Sequence, residues 1–169
     1  DKVIILYSGL WQFINNLPFK KKISSNLLTI IEKIVTKNRT LILPSFSSQI
    51  FTKKTKFIVD KTIDNSNGML PKEALKRKKY YRTPQPLHSY LCFGKKVNEI
   101  RKLKYETSWG KTSLFEWLSL NNARICVLGI PWNKGCSYLH RFEELYSVPW
   151  RYFKLFSKPV YKNNKKIGV

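Results

Sequence analysis

The chain carries its clearest strand signal in Arg124-Ile125-Cys126-Val127-Leu128-Gly129, where four apolar residues in a row end at a glycine. A continuous apolar run of this length is typical of a strand that is buried on both faces. Similar runs occur at Val3–Tyr7, at Thr40–Leu43 and at His88–Phe93. Together the four runs predict the strands of one central sheet.

Helical patterns lie between these runs. A first helix is expected after Ser24 or Ser25, because apolar residues then recur at helical spacing through Val35. A second begins near Pro71, and a third follows Ser113, which forms a capping box with Glu116. A further short helix is expected near residue 137. Strands that alternate with helices indicate an α/β fold, with a central mixed sheet flanked by helices and a functional site at the strand ends.

The composition describes a folded and very basic chain. Its 169 residues fit one domain, and 43% hydrophobic and 14% aromatic residues exclude intrinsic disorder. The net charge of +22 implies an anionic partner, such as nucleic acid, acidic lipid or a multiply phosphorylated small molecule. No apolar run approaches the ~20 residues that span a bilayer. We therefore expect a cytoplasmic domain over residues 1–157, followed by a basic and frayed tail over residues 158–169.

The cysteines argue against a structural disulfide or metal framework. Cys92, Cys126 and Cys136 are odd in number and show no CxxC spacing, so neither a disulfide set nor a zinc site is expected. A reducing cytoplasm is the default for such a chain. Cys126 lies within the clearest strand and is expected in the core. Cys136 precedes a predicted helix, which leaves a nucleophilic pair with His140 as one alternative.

The two histidines are the candidates for chemistry near neutral pH. His88 follows the rigid corner Pro84-Gln85-Pro86, and His140 precedes two carboxylates, Glu143 and Glu144. Residues at i and i+3 share one face of a helix, so His140 and Glu143 are expected to lie side by side. Plain structural roles remain open, with His88 a satisfied histidine at a strand edge and His140–Glu143 an ion pair on a helix surface.

Ordered blocks of sequence resemble the aminoglycoside 3-N-acetyltransferase family. The sharpest is Arg82-Thr83-Pro84-Gln85-Pro86-Leu87-His88-Ser89, which is similar to the family's Arg-Ser-x-His-Pro-x-His-Ser. Weaker blocks occur in the same order as in the family: Leu6–Leu10, Arg39–Phe46, Asp60–Leu70, Gly110 with Ser113, Val127–Gly129, His140 with Glu143, and Pro149–Arg151. The resemblance runs from near residue 3 to near residue 151. Members of the family are longer, so a shortened member or a fragment is expected.

The resemblance implies acetyl transfer from acetyl-CoA to an amine without a covalent enzyme intermediate. It makes His88 the general base, and Glu143 is the candidate carboxylate that orients it or binds the amine. The expected contacts to acetyl-CoA are Ser8, Gly9, Leu10, Arg82, Thr83 and Ser89, through backbone amides and a guanidinium–phosphate pair. For Arg82, a solvated surface cation is the alternative. The expected contacts to the acceptor are His140 and Glu144.

Two features depart from a typical member of the family. Gln85 stands where the family block has its first histidine. Because a chain of net charge +22 repels polycations, a neutral or anionic amino sugar fits better as acceptor than an aminoglycoside.

Two other functions remain open. One is a nucleic-acid-binding module built on lysine clusters at 20–22, 53–56, 76–79 and 101–104, and the other is an inactive relative that serves as a binding subunit.

Overall fold

A computed structural model describes residues 2–12, 14–16, 22–35, 38–51 and 56–168. Its helices are α1 (Ile23–Val35), α2 (Met69–Leu75), α3 (Val97–Arg101), α4 (Leu114–Leu120) and α5 (Leu139–Leu145). Its strands are β1 (Val3–Ser8), β2 (Thr40–Pro44), β3 (Phe57–Ile58), β4 (Tyr81–Arg82), β5 (Tyr90–Gly94), β6 (Arg124–Leu128), β7 (Val160–Lys162) and β8 (Lys165–Gly168). The lysine clusters at 20–22 and 53–56 fall largely outside the described residues.

The central sheet has five strands in the order β4-β5-β2-β1-β6. Strand β1 is parallel to both β2 and β6, whereas β5 is antiparallel to its two neighbours. Alternate residues of the strands face opposite sides, so Ile5 packs with α4 residues while Leu6 packs with α1 and α2 residues. This three-layer arrangement confirms the predicted mixed α/β fold.

Helix α4 begins as the capping box predicts. The Ser113 hydroxyl accepts a hydrogen bond from the Glu116 backbone N–H at 3.2 Å. The Glu116 carboxylate accepts from the Thr112 backbone N–H at 2.8 Å, one residue earlier than the ideal box requires. Both contacts anchor the loop 105–113 to the helix, and that loop forms one wall of the site described below.

Strand β6 lies at the edge of the sheet rather than at its centre. It pairs with β1 on one side, and Cys126 is exposed. The expectation that Cys126 lies in the core was therefore wrong. An apolar run reveals that a strand is buried on average, but its place in the sheet depends on its neighbours.

The basic tail contains a hairpin where fraying was expected. Strands β7 and β8 pair with each other, and β7 also pairs with β3. Val160 is buried against Ile50, Phe57 and Val59. One valine that reaches a distant apolar cluster, together with backbone pairing, orders a segment that reads locally as polar. In the described part of the chain, no helix combines the length and the apolar character needed to span a bilayer.

Candidate active site

A histidine–glutamate pair stands on one face of α5. The Nδ1 atom of His140 lies 2.7 Å from Oε2 of Glu143. Both side chains remain accessible, with 43% and 28% of their surfaces exposed. The hydrogen bond from His140 is the main cause that lowers the pKa of Glu143, with further bonds from Arg151 and Trp150. The carboxylate is thus ionised at neutral pH, which favours the imidazole tautomer that carries its proton on Nδ1.

The indole of Trp109 contacts both histidines. Its ring centroid lies 4.3 Å from that of His88 and 5.1 Å from that of His140. Phe46 packs edge-on against His88, with centroids 5.2 Å apart. The two predicted candidates therefore belong to one site, with Trp109 as their common neighbour.

His88 occupies the apolar side of this site. Its Nδ1 atom is buried and, within the described residues, accepts or donates no hydrogen bond. Burial, assisted by the charges of His140 and Arg151, lowers the pKa of His88 to about 3. The ring is therefore neutral at physiological pH, and it is a weak base there.

The depressed pKa of His88 has a consequence for stability. Below the ordinary pKa of 6.5 the unfolded chain takes up a proton at this position, whereas the folded chain does not until about pH 3. The free energy of unfolding should therefore fall with decreasing pH across this window, by up to about 1.4 kcal/mol per pH unit. Urea titrations at several pH values should show this slope, and His88→Gln should flatten it. Equal slopes for both proteins would contradict the burial of a neutral ring.

Gln85 holds the loop that carries His88. Its amide nitrogen donates to the Ser108 hydroxyl at 2.8 Å, and its amide oxygen accepts from the His88 backbone N–H. The residue that replaces the family's first histidine thus links the loop before β5 to the loop before α4. This position has a structural role that glutamine fills.

A cavity of about 480 Å³ opens beside the pair. Its size is typical of pockets that bind small molecules. Its lining residues come from three segments, the loop at 85–87, the loop at 105–109 and the chain from 143 to 158. The lining brings together charges of both signs: Glu106, Glu143, Glu144, Arg151, Lys154 and Lys158. Of the described side chains, no group of three or more His, Cys, Asp or Glu could hold a metal ion.

Glu144 reaches this cavity because Gly110 leaves room for it. A Cβ atom at Gly110 would lie 2.6 Å from Oε1 of Glu144. Partial burial is the main cause that raises the pKa of Glu144, and it outweighs the opposing charges of Arg141 and Arg151. The structure therefore places Glu143 and Glu144 on the cavity wall, with His140 paired to Glu143 beside it.

Three residues that were expected to bind the cofactor, Arg82, Thr83 and Ser89, have structural roles instead. Arg82 is 4% exposed, and its guanidinium donates to the carbonyls of Ser45 at 2.7 Å and Val59 at 3.0 Å. It also donates to the Ser89 hydroxyl at 3.0 Å. Thr83 and Ser89 are fully buried. The Arg82 side chain ties β4 and the residue before β5 to the loops after β2 and β3, so the expected contact between Arg82 and a phosphate does not fit this structure.

The turn after β1 is also occupied by protein contacts. The Gly9 backbone N–H donates to the Leu128 carbonyl at 2.9 Å, which extends the pairing of β1 with β6. Leu10 is 4% exposed and belongs to the core. Ser8 ends β1 and is partly buried. Of the expected contacts at this turn, only Ser8 keeps an accessible side chain, and none of the three lines the cavity.

Two important residues went unrecognised in the sequence. Trp109 links the histidines, and Arg151 contacts both His140 and Glu143. Arg151 lies eight positions after Glu143 and beyond the end of α5, so helical spacing does not predict their contact. A signal existed in Pro149-Trp150-Arg151, which resembles a family block, but the resemblance assigned it no contact.

The family and the fold agree in comparisons with known proteins. The family model described as aminoglycoside 3-N-acetyltransferase matches residues 18–168. No curated protein sequence matches the chain significantly. Among solved structures, aminoglycoside acetyltransferase AAC(3)-Xa superimposes with a TM-score of 0.80 at 15% identity, over 98% of this chain and 63% of that one.

Two further structures have ligands in their descriptions. AAC-IIIb, described as binary with CoASH, has a TM-score of 0.68 at 14% identity over 85% of this chain and 58% of that one. AAC-VIa, described as bound to sisomicin, has a TM-score of 0.75 at 14% identity over 99% and 67%. The chain thus spans about three fifths to two thirds of the length of these three proteins. The structures support the fold, and the family model covers most of the chain, which therefore belongs to the aminoglycoside 3-N-acetyltransferase family.

Proposed function

We propose that the chain transfers the acetyl group of acetyl-CoA to an amine of an amino sugar or aminoglycoside-like acceptor. The observation that carries this proposal is the 2.7 Å contact between His140 and Glu143 beside a cavity of about 480 Å³. Membership of the acetyltransferase family supports the reaction class.

The chemistry requires a proton acceptor. An amine that attacks a thioester carbonyl must lose a proton, and a neutral imidazole suits that task near pH 7. When Nδ1–H of His140 donates to Glu143, the lone pair of Nε2 is left to receive the proton. The nitrogen–carbon bond forms as the carbon–sulfur bond breaks, and the proton ends on the CoA thiolate or in solvent.

Proton acceptance fits His140 better than His88. The carboxylate pairs with His140, and 43% of the His140 side chain is exposed. His88 has a pKa lowered to about 3 and a buried Nδ1 atom without a partner. We therefore assign the base to His140 and a supporting place against Trp109 to His88, which the resemblance had made the base.

Direct transfer is favoured over an acyl-enzyme route. The Sγ atom of Cys136, the alternative nucleophile, lies 3.1 Å from the Trp132 carbonyl, to which the thiol donates. A thiol that donates to a carbonyl is not activated by an imidazole base. We propose that the amine attacks the thioester itself.

Charge supports the proposed cosubstrate and the proposed acceptor. A net charge of +22 attracts the phosphates of CoA, and the related AAC-IIIb structure is described with CoASH. Because the cavity is lined by charges of both signs, it suits an acceptor that carries an amine together with neutral or anionic groups. AAC-VIa is described with sisomicin, and we expect the present chain to prefer a less cationic amino sugar.

The proposal is tested by thiol release from acetyl-CoA in the presence of amines of graded charge. Acceptor-dependent release, with thermal stabilisation by acetyl-CoA that persists in salt, would support an acetyltransferase. Retention on heparin and DNA that falls steeply with salt, without thiol release, would favour the nucleic-acid module. Equal turnover of a polycationic aminoglycoside and a neutral amino sugar would remove the acceptor preference alone.

A further inference from the structure

The side chain of Arg151 approaches both members of the histidine–glutamate pair. Its Nε atom donates to Oε2 of Glu143 at 2.6 Å. Its Nη2 atom contacts the same carboxylate oxygen and also Nδ1 of His140. The side chain is 33% exposed and lines the cavity. The Arg151 guanidinium, the His140 imidazole and the Glu143 carboxylate therefore contact one another through Nδ1 of His140 and Oε2 of Glu143.

These contacts cannot all be satisfied together. A guanidinium nitrogen only donates, and an ionised carboxylate only accepts. If Nδ1 of His140 carries the proton, it bonds well to Glu143 but faces an N–H of Arg151. If Nδ1 is unprotonated, it accepts a hydrogen bond from Arg151, but its lone pair faces the Glu143 oxygen. Because a neutral imidazole has one ring proton, the choice at Nδ1 also decides whether Nε2 is free.

We propose that Arg151 is a positioning residue that sets the tautomer of His140, drawing the ring proton toward Nε2 against the effect of Glu143. In its catalytic consequence the inference rests on the proposed function, since a ring with its proton on Nε2 cannot accept one from the amine. Arg151 therefore lowers the share of rings ready to act as base. A ligand in the cavity that accepts hydrogen bonds from the Arg151 N–H groups would remove this effect. The ring proton would then return to Nδ1, where it bonds to Glu143.

Lys154 provides a matched comparison. It carries the same charge and lines the same cavity, and its ammonium lies 5.2 Å from the centroid of the Phe156 ring, within the usual range of cation–π contacts. Its removal changes the field of the cavity without removing a donor from His140. A tautomer effect specific to Arg151 would thus reflect the contact rather than the charge.

The test is nitrogen NMR of protein labelled with ¹⁵N-histidine. The chain has two histidines, so the spectrum contains two rings, and His140→Gln assigns them. In mildly alkaline solution, where an ordinary imidazole is neutral, the shifts of Nδ1 and Nε2 report the tautomer. Arg151→Met should raise the ratio of Nδ1–H to Nε2–H at His140 by roughly fivefold, the effect of losing one hydrogen bond. Lys154→Met should leave the ratio unchanged.

An unchanged or lower ratio in Arg151→Met, or an equal rise in Lys154→Met, would overturn the inference. Arg151→Ser should shift the ratio in the same direction and serves if the methionine variant folds poorly. The spectra need no substrate, so they are independent of acetyl transfer. Tautomer change without thiol release in any variant would refute the proposed function alone, and thiol release without tautomer change would refute the role of Arg151 alone.

Discussion

Replacing His140 with glutamine is expected to lower kcat/KM for acetyl transfer by roughly 10²–10⁴-fold, the usual contribution of a general base. Glutamine retains the size and polarity of the side chain but cannot accept a proton at neutral pH. Because the His140 side chain is 43% exposed, the fold should survive the change. Thiol release from acetyl-CoA measures the rate, and thermal unfolding checks that the variant is native.

The matched variant is His88→Gln. The His88 ring packs against Phe46 and Trp109, and its pKa is lowered to about 3, so loss of the ring should affect packing more than proton transfer. We expect a smaller loss of rate and a clear change in thermal stability. If His88→Gln were inactive but stable while His140→Gln kept its rate, the base would be His88, as the resemblance implied.

Replacing Gly94 with alanine is expected to prevent stable folding. Gly94 ends β5 opposite Thr40 of β2, with φ of 115°, a conformation that L side chains rarely adopt. A Cβ atom there would lie 2.0 Å from the Arg39 carbonyl oxygen. Backbone atoms of a paired strand cannot yield as a flexible side chain does, so the cost should exceed about 4 kcal/mol. Urea unfolding, or the yield of soluble protein, measures it.

Gly168 provides the control for this substitution. A Cβ atom at Gly168, in β8, would meet no atom within 4 Å. Gly168→Ala should therefore change the free energy of unfolding by no more than about 0.5 kcal/mol. Similar stability of Gly94→Ala and Gly168→Ala would show that the pairing of β5 with β2 is not held at this close approach.

Local patterns in the sequence were enough to predict the layers of the fold. The apolar runs marked β1, β2 and β6, and helical spacing marked α1. The capping box at Ser113 placed the start of α4 correctly. The contact of His140 with Glu143 followed from helical spacing alone. Each of these features depends on residues within about one turn or one strand of each other, so the sequence records them directly.

The surroundings of Arg82, His88 and Arg151 depend on the tertiary structure. Arg82 became a buried link because the carbonyls of Ser45 and Val59 converge on it. His88 packs against Phe46 and Trp109, and burial is the main cause that lowers its pKa to about 3. Burial and electrostatic environment are sums over neighbours that are distant along the chain, and residue type and local spacing do not contain them. For this reason the candidate chemical groups could be identified from the sequence, whereas their burial and their contacts were decided by the tertiary structure.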